Sequence, residues 1–304
     1  MRILVTGVTG YIGGLVAARL ARDGHDVRGF ARRPAPAPRG VPVIAGDSIS
    51  GRGLARALRG TQVAYFLIHS MEPAAGTGFQ AAEALAARRF ADAAASAGVS
   101  RIVYLGGPAP SGVPPSEHLA SRLEVERTLL EAVPGSVALR ASIVIGAGSR
   151  SFRFLVRLVE RLPVLAIPAW HVRRTTPIDE RDVVAMLTAA ATVEPAGGEI
   201  LDAGGPEVIS YGDLIERIAD LMLLARPALR LRHLTATPVA SRVAAVIAGE
   251  RHELIGPLMD SLAADLLPAD DRAAALLGVR LHSLDAAIER ALREWERVEP
   301  LAAR

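Results

Sequence analysis

A glycine-rich turn between the first strand and the first helix constrains this fold more than any other feature. The run TGVTGYIG places Gly7, Gly10 and Gly13 directly after the apolar run RILVTG and at the start of a helix-like segment. Gly7 permits a tight turn, Gly10 lets the backbone approach a pyrophosphate, and Gly13 lets the helix pack closely on the strand. The helix N-terminus would offer N–H groups and a positive dipole end to the phosphate. We therefore predict a dinucleotide site here, to which we also assign Thr9, Tyr11 and Ile12.

Short β-branched runs alternate with longer segments rich in Ala and Leu through the first half of the chain. We predict strands at 2–7, 26–32, 41–47, 62–70, 101–107 and 136–146, and helices at 11–23, 51–59, 78–97 and 116–132. Near-continuous apolar strands that alternate with helices are typical of a parallel sheet covered on both faces. The predicted fold class is therefore α/β, a Rossmann-type doubly wound parallel sheet.

The pattern changes after about residue 149. We predict helices at 150–161, 180–191, 210–222 and 284–297 and one more strand at 199–205. This organisation predicts a dinucleotide-binding domain over 1–149. Residues 150–304 would form a smaller mixed substrate-side region, partly interleaved with the sheet.

Composition narrows the function classes. The 304 residues include no cysteine, so thiolate nucleophiles and Cys-ligated zinc are excluded, and no His/Asp/Glu spacing suggests a metal site. There is no lysine either, so a Schiff base or a catalytic ammonium is excluded. The net charge of +3 is spread along the chain, and nucleic-acid binding is not expected. No apolar run is long enough to span a bilayer and the N-terminal run is broken by glycines, so we expect no membrane partner and a cytoplasmic location.

The end of the second strand bears on which dinucleotide binds. An NAD site places an acidic residue there to hold the ribose 2′-hydroxyl, but this strand ends GFARR. Arg32 and Arg33 stand where a 2′-phosphate would lie, which favours NADP(H), with NAD(H) as the alternative. Asp47, followed by Ser48, closes the third strand and could accept from the adenine amino group or cap the next helix.

The ends of the later strands supply further candidates at the same sheet edge. Ile68 and His69 end the fourth strand, and Gly106 ends the fifth. Ligands of open parallel sheets bind at the carboxyl ends of the strands. We assign these three residues to the cofactor site, although His69 could equally be a loop histidine without a ligand.

Five segments carry a family resemblance. VTGVTGYIG, AGD at 45–47, LIHS at 67–70, RIVYLGG at 101–107 and TPIDERDVV at 176–184 together resemble the extended and atypical short-chain dehydrogenase/reductase superfamily. Within it, the similarity is greatest to the NAD(P)H-binding branch of NmrA-like and epimerase/dehydratase-like proteins. The resemblance covers residues 1–150 strongly and fades after about 205. It implies a Rossmann fold, a C-terminal substrate region, a catalytic Ser ending the fifth strand and Tyr-x-x-x-Lys on the next helix.

This sequence departs from each member of that catalytic set. The fifth strand ends in Gly106 and Gly107, and the next helix carries SEHLASR, with His118 and Arg122 at the Tyr and Lys positions. A neutral His118 would donate a hydrogen bond or a proton to a substrate carbonyl, and Arg122 would clamp the nicotinamide ribose. The alternative is that the catalytic set has decayed beside a cofactor that is bound but not used.

Two functions of different classes follow. The first is an NADP(H)-dependent oxidoreductase acting on a small or medium apolar carbonyl substrate. The second is a non-catalytic NADP(H)-binding sensor or regulatory protein. Epimerase or dehydratase chemistry on a nucleotide sugar is disfavoured, because in the resembling families it depends on the missing Tyr/Lys pair. The resemblance also implies a homodimer formed through 78–97 and 116–132.

Some residues receive mainly structural expectations. We predict Ser116, Asp179 and Asp182 to be helix caps. Trp170 and His171 are expected in a substrate-facing loop, or else as a core Trp beside an exposed His.

Overall fold

A computed structural model describes residues 1–33, 38, 40–68, 78–167, 169–193, 198–230 and 264–301. The strands are β1 Arg2–Thr6, β2 Asp26–Ala31, β3 Val43–Ala45, β4 Val63–Phe66, β5 Arg101–Gly106, β6 Val137–Ala141, β7 Val144–Ile145, β8 Leu165–Ile167, β9 Arg174–Thr175, β10 Ile178–Asp179, β11 Glu199–Ala203, β12 Ile209–Ser210 and β13 Ala228–Arg230. The helices are α1 Tyr11–Arg22, α2 Leu54–Leu58, α3 Phe79–Ser96, α4 Glu117–Ala132, α5 Arg150–Arg161, α6 Glu180–Ala189, α7 Tyr211–Leu221, α8 Arg272–Leu276 and α9 Leu284–Glu296.

Seven strands form one sheet in the order β11-β6-β5-β4-β1-β2-β3, and every neighbouring pair is parallel. The chain winds outward from β1 in one direction through β2 and β3, and in the other through β4, β5 and β6. The direction therefore reverses between β1 and β4, which is where open α/β sheets bind ligands. The predicted Rossmann-type fold is confirmed.

Alternation along β1 explains the two covered faces. Ile3 and Val5 point into a core with α1 and α6, while Leu4 points into a core with α2, α3 and α4. Side chains of a strand alternate between faces, so an unbroken apolar strand requires helices on both sides. All three β1 side chains are fully buried. A third core joins α5, α7 and α9, and Trp295 of α9 is buried in it.

Two predicted strands and one possible helix cap need correction. The strand predicted at 136–146 is interrupted: β6 ends at Ala141, and β7 pairs with β10 in a separate two-stranded sheet. Ser142 lies at the break, where its hydroxyl donates to the carbonyl of Thr176 over 3.0 Å. The fourth strand ends at Phe66 rather than at 70, and residues 69–77 lie outside the described residues. Asp47 does not cap α2, because its carboxylate accepts from Ile49 N–H at 3.0 Å and Gly53 is the N-cap.

The structure also tests the predicted helix caps. Ser116 caps α4 and Asp179 caps α6, both as predicted. The prediction for Asp182 was wrong: its carboxylate accepts from the backbone N–H of His282 at 2.8 Å and contacts that imidazole at 2.6 Å. Asp182 therefore ties α6 to the segment that precedes α9.

Trp170 and His171 lie in a short 3-10 helix, and both are buried. Trp170 packs edge-on against Tyr211 with ring centroids 6.1 Å apart. The core interpretation of Trp170 is confirmed, whereas the expectation of an exposed His171 was wrong.

Candidate functional site

One large cleft opens at the carboxyl edge of the sheet, where β1 meets β4. Its volume is about 640 Å³, within the range of ligand and cofactor sites. The glycine turn, the ends of β2, β4, β5 and β6, and the first turns of α4 and α5 line it. The fold thus brings segments that are far apart in sequence onto a single concave surface.

The glycine turn has the geometry that a dinucleotide phosphate needs. Gly7 adopts φ +68, and a Cβ there would overlap the carbonyl of Leu67. A Cβ on Gly13 would overlap the carbonyl of Gly7, so α1 packs against the turn as only glycine allows. Gly10 is the N-cap of α1; no side chain caps the helix, and its first turn has no acidic residue. The residues of the turn that line the cleft are Gly7, Thr9, Gly10, Tyr11, Ile12 and Gly13.

The remaining cofactor candidates are placed as follows. Arg32 follows β2, is exposed and lines the cleft, whereas Arg33 is exposed but not part of the lining. Asp47, Ser48, Ile68 and Gly106 also line the cleft. His69 lies outside the described residues.

His118 lies in the first turn of α4, on the cleft wall. The Ser116 hydroxyl accepts from Leu119 N–H at 3.3 Å and fixes the start of this helix. The imidazole is partly buried, and its centroid is 6.1 Å from the Phe79 ring. Burial, and secondly the positive charge of Arg122, lower the pKa of His118 to about 4. At neutral pH the ring is therefore uncharged and carries one N–H donor.

Arg122 is held in a buried ion pair. Its guanidinium lies 2.8 Å from the carboxylate of Glu83 on α3, and both side chains are almost completely buried. The Ser121 hydroxyl donates to the other oxygen of Glu83 at 2.7 Å. Arg122 also lies over the ring of Tyr104, 5.8 Å from its centroid. The positive charge of Arg122 at the cleft wall is therefore balanced by the carboxylate of Glu83.

The two strand tyrosines, Tyr65 and Tyr104, do not line the cleft and do not replace the missing catalytic one. Burial raises the pKa of Tyr104 and that of Tyr211 to about 12, and it raises the pKa of Tyr65 further. The hydroxyl of Tyr65 donates to Leu187 O at 2.8 Å, and that of Tyr104 to Arg122 O at 3.3 Å. Both are packing residues of buried strands, as the sequence predicted.

Several residues of the cleft escaped the sequence analysis. Glu83 was missed, although a lone carboxylate on the Ala-rich face of α3 was a usable signal. Tyr211 was noted only as opening a helix, yet it lines the cleft and is buried. The start of α5 was not assigned to the site at all. The missed cleft residues from that side are Ser142, Ser149, Arg150, Ser151, Phe154, Leu155 and Leu266.

Two kinds of site are absent from the part of the chain that the structure describes. Among them, no cluster of His, Asp and Glu could hold a metal ion. No described helix combines the length and hydropathy needed to cross a bilayer.

Comparison with known proteins assigns the family. The sequence model of the NmrA-like family matches residues 1–190, more than half of the chain. The chain belongs to the NmrA-like family. Its glycine turn and the strands through β6 all fall within the matched segment.

One curated relative and two solved structures are examples of the proteins to which this NmrA-like chain is similar. It is 28% identical over 191 residues to a ceramide reductase of Caulobacter vibrioides; the match covers 62% of this chain and 60% of that protein, less than two thirds of its length. A nucleoside-diphosphate-sugar epimerase from Staphylococcus aureus has a TM-score of 0.76 at 15% identity, over 95% of this chain and 100% of that one. MoeE5 in complex with UDP-glucose and NAD has a TM-score of 0.72 at 22% identity, over 98% and 99%. These similar structures support the fold.

Proposed function

We propose that this NmrA-like protein is an NADP(H)-dependent oxidoreductase that acts on an apolar carbonyl-type substrate. The main support for this proposal is that the neutral imidazole of His118 and the glycine turn line the same cleft. The bound cofactor would supply or accept hydride. The similarity to a protein named ceramide reductase supports both a reductase activity and an apolar substrate.

The cofactor preference rests on Arg32. Arg32 follows β2 and lines the cleft, and we infer that its guanidinium would contact a 2′-phosphate. Among the carboxylates that line the cleft, Asp47 is the one closest to Arg32 in sequence. Its carboxylate already accepts a hydrogen bond from the backbone N–H of Ile49. We therefore infer that NADP(H) is preferred over NAD(H), and that the ends of β2 and β3 hold the adenosine half.

His118 would act as an electrophile. A neutral imidazole donates its N–H to the carbonyl oxygen, stabilises the negative charge that develops there and supplies the proton. The side chain is partly exposed, and we infer that water restores the proton. Because Arg122 is paired with Glu83, it would not be free to bind the ribose hydroxyls. Its role would be to place a positive charge near the His118 ring.

A regulatory NADP(H)-binding function is the second candidate, and a specific observation favours it. Arg122 is bonded to Glu83 within the helix pair α3–α4, and β5 ends in Gly106 without a hydroxyl. In this alternative the cofactor would bind and no carbonyl would be reduced.

Turnover assays with a His118 variant separate the two functions. We would measure NADPH oxidation with a panel of long-chain ketones and aldehydes, using wild type, His118→Ala and His118→Gln. The reductase account expects turnover in wild type and a loss of about 100-fold in His118→Ala, with NADPH affinity retained. It expects partial activity in His118→Gln, whose amide keeps an N–H donor. NADPH binding without turnover of any panel member in wild type would favour the regulatory function.

We also propose a homodimer formed through α3 and α4. The two helices pack side by side on one face of the sheet. Light scattering coupled to size-exclusion chromatography would test it, because a monomer mass at micromolar concentration contradicts this arrangement.

A further inference from the structure

The N-terminal turn of α5 presents polar groups to the cleft that the proposed reaction does not use. Ser149, Arg150 and Ser151 are consecutive residues, and all three line the cleft. Ser149 is the N-cap of this twelve-residue helix, with extended backbone angles. The first turn of α5 contains no acidic residue. The positive end of the α5 dipole therefore lies at the cleft surface without a negative side chain of its own turn.

The hydroxyl of Ser149 gives this turn a polar group without a protein partner. Ser149 is only 8% exposed, and its side chain makes no capping hydrogen bond. The hydroxyl has no hydrogen-bond partner among the residues that the structure describes, whereas the backbone N–H and carbonyl of Ser149 are both bonded. A hydroxyl that has no protein partner in a residue this little exposed bonds to water or to a ligand. Since Ser149 lines the cleft, that ligand would lie in the cleft.

Arg150 adds a cation at the same place. It is exposed toward the cleft and forms no ion pair within the described part of the chain. By contrast, three less exposed arginines pair with carboxylates: Arg122 with Glu83, Arg140 with Glu126, and Arg157 with Glu160. An arginine beside a helix N-terminus and a free hydroxyl is an arrangement suited to a carboxylate or a phosphate.

We propose that Ser149, Arg150 and the first-turn N–H groups of α5 bind an anionic group of the substrate, a carboxylate or a phosphate. The identification of this ligand as the substrate rests on the proposed function. One turn further along α5, Phe154 and Leu155 line the cleft together with Tyr211. The substrate class is therefore an amphiphile, with an anionic group at the start of α5 and an apolar body along these side chains.

The cofactor is the other source of the same chemistry. A Cβ on Gly148 would overlap the ring of Tyr11, so the start of α5 lies beside the glycine turn. The N-terminus of α1 already provides a phosphate site with its own glycine cradle. We therefore assign the α5 anion to the substrate, and the test must separate it from a cofactor phosphate.

The test measures binding by calorimetry on protein saturated with NADP+. The probes are dodecanoate and dodecan-1-ol, which share an apolar chain and differ in the charged group, each kept below its aggregation concentration. We expect wild type to bind dodecanoate more tightly than dodecan-1-ol. Arg150→Ala should weaken dodecanoate binding about tenfold and leave dodecan-1-ol unchanged. Ser149→Ala should weaken it by a smaller factor.

Arg127→Ala is the matched control, because it removes an arginine from the exposed face of α4. It should leave both affinities unchanged. Retained dodecan-1-ol binding shows that each variant is folded. Equal dodecanoate affinity in wild type and Arg150→Ala would overturn the proposal, as would a loss of NADP+ affinity in place of dodecanoate affinity. This readout is independent of turnover, so an inactive protein that still discriminates the probes would refute the reductase function and leave the anion site standing.

Discussion

Glu83 and Arg122 form a 2.8 Å ion pair in which the side chains are 3% and 9% exposed. The pair joins α3 to α4, the helix that carries His118. It holds Arg122 one turn after His118 on the same helix, and it neutralises a cation that would otherwise be buried alone. The pair therefore links the stability of the helix pair to the electrostatics of the cleft.

Removing one partner of this pair should be costly. Glu83→Gln leaves the guanidinium of Arg122 without its counter-charge, and we expect a loss of about 3 kcal/mol in the free energy of unfolding. Denaturant titration would measure it. The double variant Glu83→Gln/Arg122→Gln should recover part of the loss, because no buried charge then remains unpaired. A single variant as stable as wild type would show that the pair is not buried in solution.

The pH dependence of turnover should show that His118 acts as a neutral group. Because its pKa is lowered to about 4, the ring is uncharged throughout the range from pH 5.5 to pH 8. We expect kcat to rise as pH increases through about 4 and to stay level above pH 5.5. An imidazolium acid would give the opposite profile, with kcat falling as pH rises past its pKa. Stopped-flow measurement of hydride transfer would distinguish them.

The same pKa shift should appear in the stability of the protein. Between pH 4 and pH 6.5 the unfolded chain binds a proton at His118 that the folded state does not bind. The free energy of unfolding should therefore fall as pH is lowered through this window, by at most about 3 kcal/mol from this group. His118→Gln should lose less stability than wild type over the same window. Parallel curves for the two proteins would contradict the buried, neutral ring.

Gly13 should tolerate no side chain. A Cβ there overlaps the Gly7 carbonyl, so Gly13→Ala must move α1 away from the turn. We expect a loss of stability of more than about 2 kcal/mol and weaker NADPH binding. Gly14→Ala is the matched control, since its Cβ would lie 3.3 Å from the Val8 carbonyl and alanine favours helix. Thermal unfolding and NADPH titration of both variants would check this, and equal behaviour would contradict the turn geometry.

Arg32 should determine the cofactor preference. Arg32→Ala removes the guanidinium at the end of β2, and we expect about tenfold weaker NADPH binding with NADH binding unchanged. Arg33→Ala is the comparison variant, because Arg33 is exposed but does not line the cleft. Fluorescence titration of wild type and both variants with the two nucleotides would measure the six affinities. Equal effects of Arg32→Ala on NADPH and NADH would rule out a 2′-phosphate contact.

Most of the fold could be predicted from local sequence patterns. The glycine turn, the apolar strands and the capping residues Ser116 and Asp179 act over a few neighbouring residues, so the sequence shows them directly. The first predicted helix, at 11–23, is observed at Tyr11–Arg22, and the one at 116–132 at Glu117–Ala132. Errors arose where a distant segment competes for a strand, as with β7, which pairs with β10 rather than extending β6.

The candidate site could be predicted only in part from the sequence. The turn residues and His118 could be predicted because their spacing from the strands matches that of a known type of site. Glu83 was not, because its role depends on α3 packing against α4, 39 residues away from Arg122 in sequence. The start of α5 was missed for the same reason: nothing in GAGSRSF shows that Ser149 lies in a cleft with Tyr11. Such contacts are set by tertiary packing, which a single sequence does not display.

Thermal unfolding with and without nucleotide tests the central claim most directly. At a hundred times its Kd, a bound nucleotide raises the free energy of unfolding by about 2.7 kcal/mol and the midpoint by about 4 °C for a chain of this size. The account predicts such a shift with NADPH and a clearly smaller one with NADH at the same concentration. No shift with either nucleotide would contradict it, because the cleft would then hold no dinucleotide and His118 would have no hydride chemistry to assist.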